Sequence, residues 1–146
     1  MTLTTKEQGL IADLKSSEEI CIQKYNKYSN EACDKELKNL FCKLSQNEQT
    51  HLDWLTQIQN GCVPDTNNAQ KASDCGLEGR TPACKELDTF LCKDALSMEK
   101  HVSSVYDISV FEFSNKELRC VLNTIQTQEQ NHGEQIYNYM SAHGMY

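Results

Sequence analysis

Glu48-Gln49-Thr50-His51 recurs 81 residues later as Glu129-Gln130-Asn131-His132. In each tetrad the Glu and the His are three residues apart, so on a helix they share a face and can reach one metal ion. The same offset carries Glu18 onto Glu99. Two helices that each give one Glu, and two that each give Glu-x-x-His, make up the donor set of a dinuclear iron or manganese site inside a four-helix bundle. A single tetrad is weak evidence. Two copies, each with its own glutamate 30 residues upstream, are strong evidence.

Laying 10–58 on 91–139 without a gap gives 12 identities in 49 positions. Roughly three would arise from ordinary composition, so the chain reads as a duplicated helical hairpin. The identities include Leu10/Leu91, Asp13/Asp94, Tyr25/Tyr106 and Lys35-Glu36-Leu37/Lys116-Glu117-Leu118. Helices are expected over about Thr5–Asn30, Asp34–Asn60, Lys85–Phe113 and Asn115–Ala142, each with an apolar stripe at helical spacing. The stripes run Ile11, Leu14, Ile22, Tyr25; Leu37, Phe41, Leu44, Leu52, Leu55, Ile58; Leu91, Ala95, Val102, Tyr106; and Leu118, Leu122, Ile125, Ile136, Met140. Glu18 falls on the first stripe, whereas Glu19 falls beside Lys15 and Gln23 on the polar side. In all four helices carboxylates interrupt an otherwise apolar face.

Asp34 reads as the cap of the second helix, and Ser114 through Glu117 as a capping box for the fourth. Residue 33 is midway between Glu18 and Glu48, and residue 114 midway between Glu99 and Glu129. Both members of each hairpin thus lie about 20 Å from their turn, at equal depth. Residues 61–84, with Gly61, Pro64, Gly76, Gly79 and Pro82, form one long loop. That length can return along the bundle and set the second and third helices parallel. The expectation is one all-α domain over 1–146: hairpin 5–60, crossover 61–84 and hairpin 85–142.

The net charge of -7 argues against a nucleic-acid partner. The polar start and the lack of an apolar run near 20 residues predict no signal peptide and no membrane span, hence synthesis in the cytosol without secretion. None of the eight cysteines forms Cys-x-x-Cys, so a zinc ribbon or rubredoxin lacks its signature. Most are expected to be small apolar residues or free thiols. Cys62, Cys75 and Cys84, in the loop, suit disulfides or cross-links better.

Four buried carboxylates would repel one another when ionised. Two divalent ions cancel them, and oxygen and nitrogen donors without thiolate suit iron or manganese, with zinc as the alternative. The expected ligands are Glu18, Glu48, His51, Glu99, Glu129 and His132, with no catalytic residue assigned. Tyr25 and Tyr106, two turns beyond the Glu of each half, either bond ligand carboxylates, carry an electron or simply pack. His101 and His143 read as solvent histidines, and Trp54 as packing.

Lys24-Tyr25, Glu36-Leu37, Glu48-Gln49-x-His51-Leu52, Ser103-Ser104-x-Tyr106, Glu129-Gln130-x-His132 and the closing Tyr139-Met140…Gly144-Met145-Tyr146 resemble the spore coat protein F family of endospore-forming bacteria, a ferritin-like group. The resemblance covers nearly the whole chain outside 61–84 and implies a ferritin-like bundle associated with the spore coat. The site pattern is similar to that of bacterioferritins, rubrerythrins and manganese catalases, which implies bridging roles for Glu48 and Glu129. Two functional classes follow. One is a redox enzyme acting on oxygen or hydrogen peroxide as ferroxidase, peroxidase or catalase. The other is a structural coat component, its metals stapling the bundle. A homodimer or a coat assembly is the expected association.

Overall fold

The computed structural model describes residues 1–80 and 84–146; Pro82 of the crossover lies outside them. Four helices account for most of the chain: α1 (Thr5–Glu31), α2 (Lys35–Gln59), α3 (Lys85–Val110) and α4 (Lys116–Ala142). Among the described residues there is no strand. A short 3₁₀ turn at Thr66–Asn68 interrupts the crossover.

Three helix ends have a local cause, at the starts of α1 and α4 and the close of α2. At α1 the Thr4 hydroxyl accepts from the Glu7 N–H while the Glu7 carboxylate accepts from the Thr4 N–H, a reciprocal capping box. The box expected at Ser114 does not form. Asn115 takes the cap instead, its side chain accepting from the N–H groups of Glu117 and Leu118 at 2.8 and 3.2 Å. Asp34 stands at the cap position of α2, but its carboxylate is drawn away to accept the Tyr139 hydroxyl at 2.8 Å. α2 closes on Gly61 at φ 83°, with Cys62 N–H bonding Gln57 O and Gly61 N–H bonding Ile58 O, both at 2.9 Å. Those two bonds are the Schellman closure, which favours glycine at the left-handed position.

α1 pairs with α2 and α3 with α4, and the hairpins meet through α1 against α3 and α2 against α4. Contacts of Tyr28 with Asp94 and of Tyr106 with Glu18 run in opposite chain directions, so α1 and α3 are antiparallel. Asp34 with Tyr139 and His51 with Gln128 set α2 and α4 the same way. α2 and α3 are therefore parallel, which the crossover makes possible. It descends along α2 as Gln46 bonds Ser73, Lys43 pairs with Asp74 at 2.7 Å, Asn39 bonds Leu77 and Arg80 N–H bonds Cys33 O. At Gly79 an added Cβ would lie 2.6 Å from the Lys35 nitrogen and 2.9 Å from the Cys33 carbonyl oxygen, so only glycine lets the strap lie this close.

A disulfide joins Cys42 of α2 to Cys75 of that strap, and the other six cysteines are free. Of the three loop cysteines expected to suit disulfides or cross-links, Cys75 is bonded, to a helical partner that spacing did not indicate, whereas Cys62 and Cys84 are free thiols. The core follows the expected stripes with two local changes. Cys21 takes the buried position given to Ile22, which is half-buried, and Trp54 is buried beside a half-buried Leu52. Cys21 is one turn from Glu18 and one from Tyr25, so it stays on the inner face as the stripe drifts. Asp88, buried at the start of α3, accepts from Cys33 N–H at 2.7 Å and Asp34 N–H at 2.9 Å, pinning the first hairpin's turn to the second hairpin.

Candidate metal centre

Six polar side chains meet at mid-height of the bundle, and all are buried: Glu18, Glu48, His51, Glu99, Glu129 and His132. Each projects from the apolar face of its helix, where only a tertiary partner can compensate for its desolvation. Their donor atoms form two overlapping groups. Glu18, Glu48, His51 and Glu129 make one; Glu48, Glu99, Glu129 and His132 make the other. Glu48 and Glu129 are common to both, and Glu18 and Glu99 each belong to one.

Both imidazoles turn Nδ1 inward. His51 Nδ1 lies 3.0 Å from Glu48 Oε2, 3.2 Å from Glu129 Oε1 and 3.8 Å from Glu18 Oε1. His132 Nδ1 lies 3.1 Å from Glu48 Oε1, 3.2 Å from Glu129 Oε2 and 3.4 Å from Glu99 Oε1. The rings face each other at 5.7 Å. On its outer side, His51 Nε2–H donates to Gln128 Oε1 at 2.7 Å, which fixes the ring with Nδ1 toward the carboxylates.

The terminal carboxylates are held by tyrosines of the opposite hairpin. Tyr25 donates to Glu99 and Tyr106 donates to Glu18. Both rings are also buried in the core, Tyr25 stacked on Phe41 at 5.8 Å, so the structure contains the hydrogen bond to a site carboxylate and the packing together. Burial, then the facing Glu99 or Glu18, pushes each phenol well above its ordinary range, so both stay protonated donors.

Without a cation the cluster balances charge through protons. Burial, then the Glu48 charge, raises Glu18 to about 7. Burial, then Glu48 and Glu18, raises Glu129 well above its usual value. Burial would raise Glu48 too, but its bonds to His132 and His51 hold it well below. Burial would lower both imidazoles; Glu129, with Glu18 and Glu48 at His51 and with Glu48 and Glu99 at His132, raises them well above the ordinary histidine range. Three carboxylate oxygens nonetheless have no hydrogen-bond partner among the described residues: Glu18 Oε2, Glu99 Oε2 and Glu129 Oε1. The approach of His51 to Glu129 Oε1 is an ion-pair contact rather than a hydrogen bond. Buried, unpartnered acceptors around a shared centre, with four carboxylates and two imidazoles, are a donor set that fits a metal site.

Two neighbours escaped the sequence reading. Gln128 lies one helical turn before His132, and Cys21 one turn after Glu18, so helical spacing alone could have placed both beside the site. Burial, then the four glutamates with Glu48 foremost, pushes the Cys21 thiol far up. His101 is exposed, as expected. His143 is half-buried, stacks on Tyr139 at 4.0 Å and lies 3.6 Å from Glu36, away from the six.

Residues 87–146, from the first turn of α3 to Tyr146, match the family model of the Coat F domain. This stretch, less than half of the chain, is similar to a Coat F domain. It contributes Glu99, Glu129, His132, Tyr106 and Gln128 to the centre. The whole chain superposes on part of a two-domain protein from Anabaena variabilis that contains DJ-1/ThiJ/PfpI-like and ferritin-like domains, with a TM-score of 0.76 at 11% identity. The superposition covers 98% of this chain and 38% of that one. At this identity the likeness carries the fold alone: α3 and α4, with the hairpin before them, build a ferritin-like four-helix bundle. No curated protein matches the sequence. No helix of the described residues is long and apolar enough to cross a membrane.

Proposed function

We propose that this chain is a dinuclear metal protein of the spore coat, holding two transition-metal ions and acting on oxygen or hydrogen peroxide. Glu18, Glu48, His51, Glu99, Glu129 and His132 are its ligands, and the bundle is a duplicated hairpin. The observation that carries the reading is the set of three buried, unpartnered carboxylate oxygens, on Glu18 of α1, Glu99 of α3 and Glu129 of α4, within a cluster that Glu48 and His51 of α2 complete. Two divalent ions cancel the four carboxylate charges, and the hard oxygen-rich donor set suits iron or manganese before zinc. The match of residues 87–146 to the Coat F domain supports the location.

Bound together, two such ions supply a pair of one-electron changes at one small substrate. The protein's part is positional. Glu48 and Glu129 belong to both donor groups and would be held in common by the two ions. Gln128 keeps His51 Nδ1 directed inward. Tyr25 and Tyr106 hold Glu99 and Glu18 at fixed height and leave their second oxygens available.

One observation favours a structural coat role beside this. Cys62, Cys84 and Cys120 are exposed free thiols, and Phe90, Ile108 and Phe111 are exposed apolar side chains on α3 and the turn after it. These suit packing and cross-linking between copies, from a homodimer to a coat assembly. The test that separates the two roles uses protein loaded anaerobically with Fe(II) or Mn(II), then given oxygen or hydrogen peroxide. Catalytic Fe(II) oxidation or peroxide disproportionation supports the enzyme. Metal binding without either leaves the bundle as a metal-stapled coat component.

A further inference from the structure

The six converging residues are not sealed equally. Glu18, Glu48 and His51 are 0% exposed, whereas Glu99, Glu129 and His132 keep 2%, 1% and 2%. Part of the difference has a visible source. A cleft of about 360 Å³ between α3 and α4 is lined by Lys100, Ser103 and Gly133 and reaches Glu99 and Glu129. At the offset of 81, Gly133 is matched by Leu52, Ser103 by Ile22 and Lys100 by Glu19. Leu52 and Ile22 are half-buried. The second hairpin thus has a hydrogen atom and a hydroxymethyl group where the first has two branched aliphatic chains. The carboxylates at the end of the cleft carry two of the unpartnered oxygens, Glu99 Oε2 and Glu129 Oε1. A larger cleft of about 450 Å³ across α1 and α3 is lined by Cys21 and Val102 and by none of the six.

We propose that the α3–α4 cleft is the entry by which a small neutral or anionic molecule reaches the metal pair, kept open by Gly133 and Ser103. Lys100, exposed in its wall, favours an anion and disfavours a free dication at the mouth. The inference rests on the dinuclear reading above and names its substrate class and side of approach.

Azide on the cobalt(II)-loaded protein is a suitable probe, because its arrival changes the cobalt absorption without turnover. Gly133→Leu installs the residue found in the first hairpin. A Cβ at 133 meets only the Leu96 Cδ1 atom, at 3.7 Å, an ordinary contact, and replacing a mid-helix glycine does not weaken the helix. Ser103→Ile is the second variant. The expected result is unchanged cobalt stoichiometry in both, with azide association slowed about tenfold or more in Gly133→Leu. Wild-type azide rates in both cobalt-loaded variants would overturn the entry while leaving the dinuclear reading intact. Loss of cobalt from both would also overturn it, by making Gly133 and Ser103 packing positions of the site itself. Failure of the unaltered protein to bind cobalt would overturn both readings together.

Discussion

The Tyr25 hydroxyl of the first hairpin donates to the Glu99 carboxylate of the second, and Tyr106 returns the same bond to Glu18. Neither hairpin orients its own terminal carboxylate. The centre is therefore assembled only when the two hairpins dock, and folding and site formation are one event.

Removing one of these hydroxyls tests that dependence. Tyr25→Phe and Tyr106→Phe keep the ring and its packing but free Glu99 or Glu18 to rotate. Partners of this kind typically contribute about 10–100-fold in metal affinity. Each variant should lose affinity in that range by chelator competition, with helicity unchanged by circular dichroism. Equal affinity in both would make the tyrosines packing residues.

The pH dependence of stability should reverse sign on loading. In the metal-free chain Glu18 is raised from 4.5 to about 7, and Glu129, His51 and His132 are also raised. A raised group contributes stability that is fully present below its unfolded value and lost as pH rises through the folded one. Glu48, held low, runs the other way, losing its contribution only as pH falls below the carboxylate range. The metal-free melting temperature should therefore fall between pH 6 and pH 8. Metal ions compete with the same protons, so the loaded protein should gain stability over that interval. Thermal melts at the two pH values, with and without Mn(II), check both signs.

Asp88 joins the start of α3 to the turn of the first hairpin. Asp88→Ala leaves the Cys33 and Asp34 N–H groups without their acceptor. Charge-assisted bonds of this kind make the expected loss about 2–3 kcal/mol, read as a lower urea midpoint with an unchanged slope. Asp88→Asn, which retains one acceptor oxygen, should lose less.

Cys75→Ser releases the crossover strap from α2. Closing a 33-residue separation corresponds to a stabilisation of about 2–4 kcal/mol. The variant should melt lower than the oxidised protein and close to the chemically reduced one. Identical melting of all three would mean that the bonds of Asn39, Gln46 and Lys43 already hold the strap.

The convergence of the six residues was legible because helical geometry turns sequence symmetry into position. Equal separation of each Glu pair from its turn gives equal height, and three-residue spacing gives a common face. Helix ends came within a few residues for the same reason. Less legible were contacts set by tertiary competition. Asp34 has the sequence of a cap, yet a tyrosine 105 residues away claims its carboxylate. Asp88 reads as an acid in the first turn of a helix, and only docking shows that it faces another turn. Cys42 lies in a regular helix, and nothing local marks it as the partner of Cys75. Gln128 and Cys21 carried a signal in their helical phase, but neither side chain stands out by type.

The central claim is that six side chains of one chain hold a pair of metal ions. The most direct test is metal content after anaerobic loading with Mn(II) or Fe(II) and removal of free ions, for the unaltered protein and for Glu48→Ala and Glu129→Ala. Because both carboxylates belong to both donor groups, the account predicts about two ions per chain in the former and loss of both in each variant. Less than one ion per unaltered chain, or the same content in both variants, would contradict it.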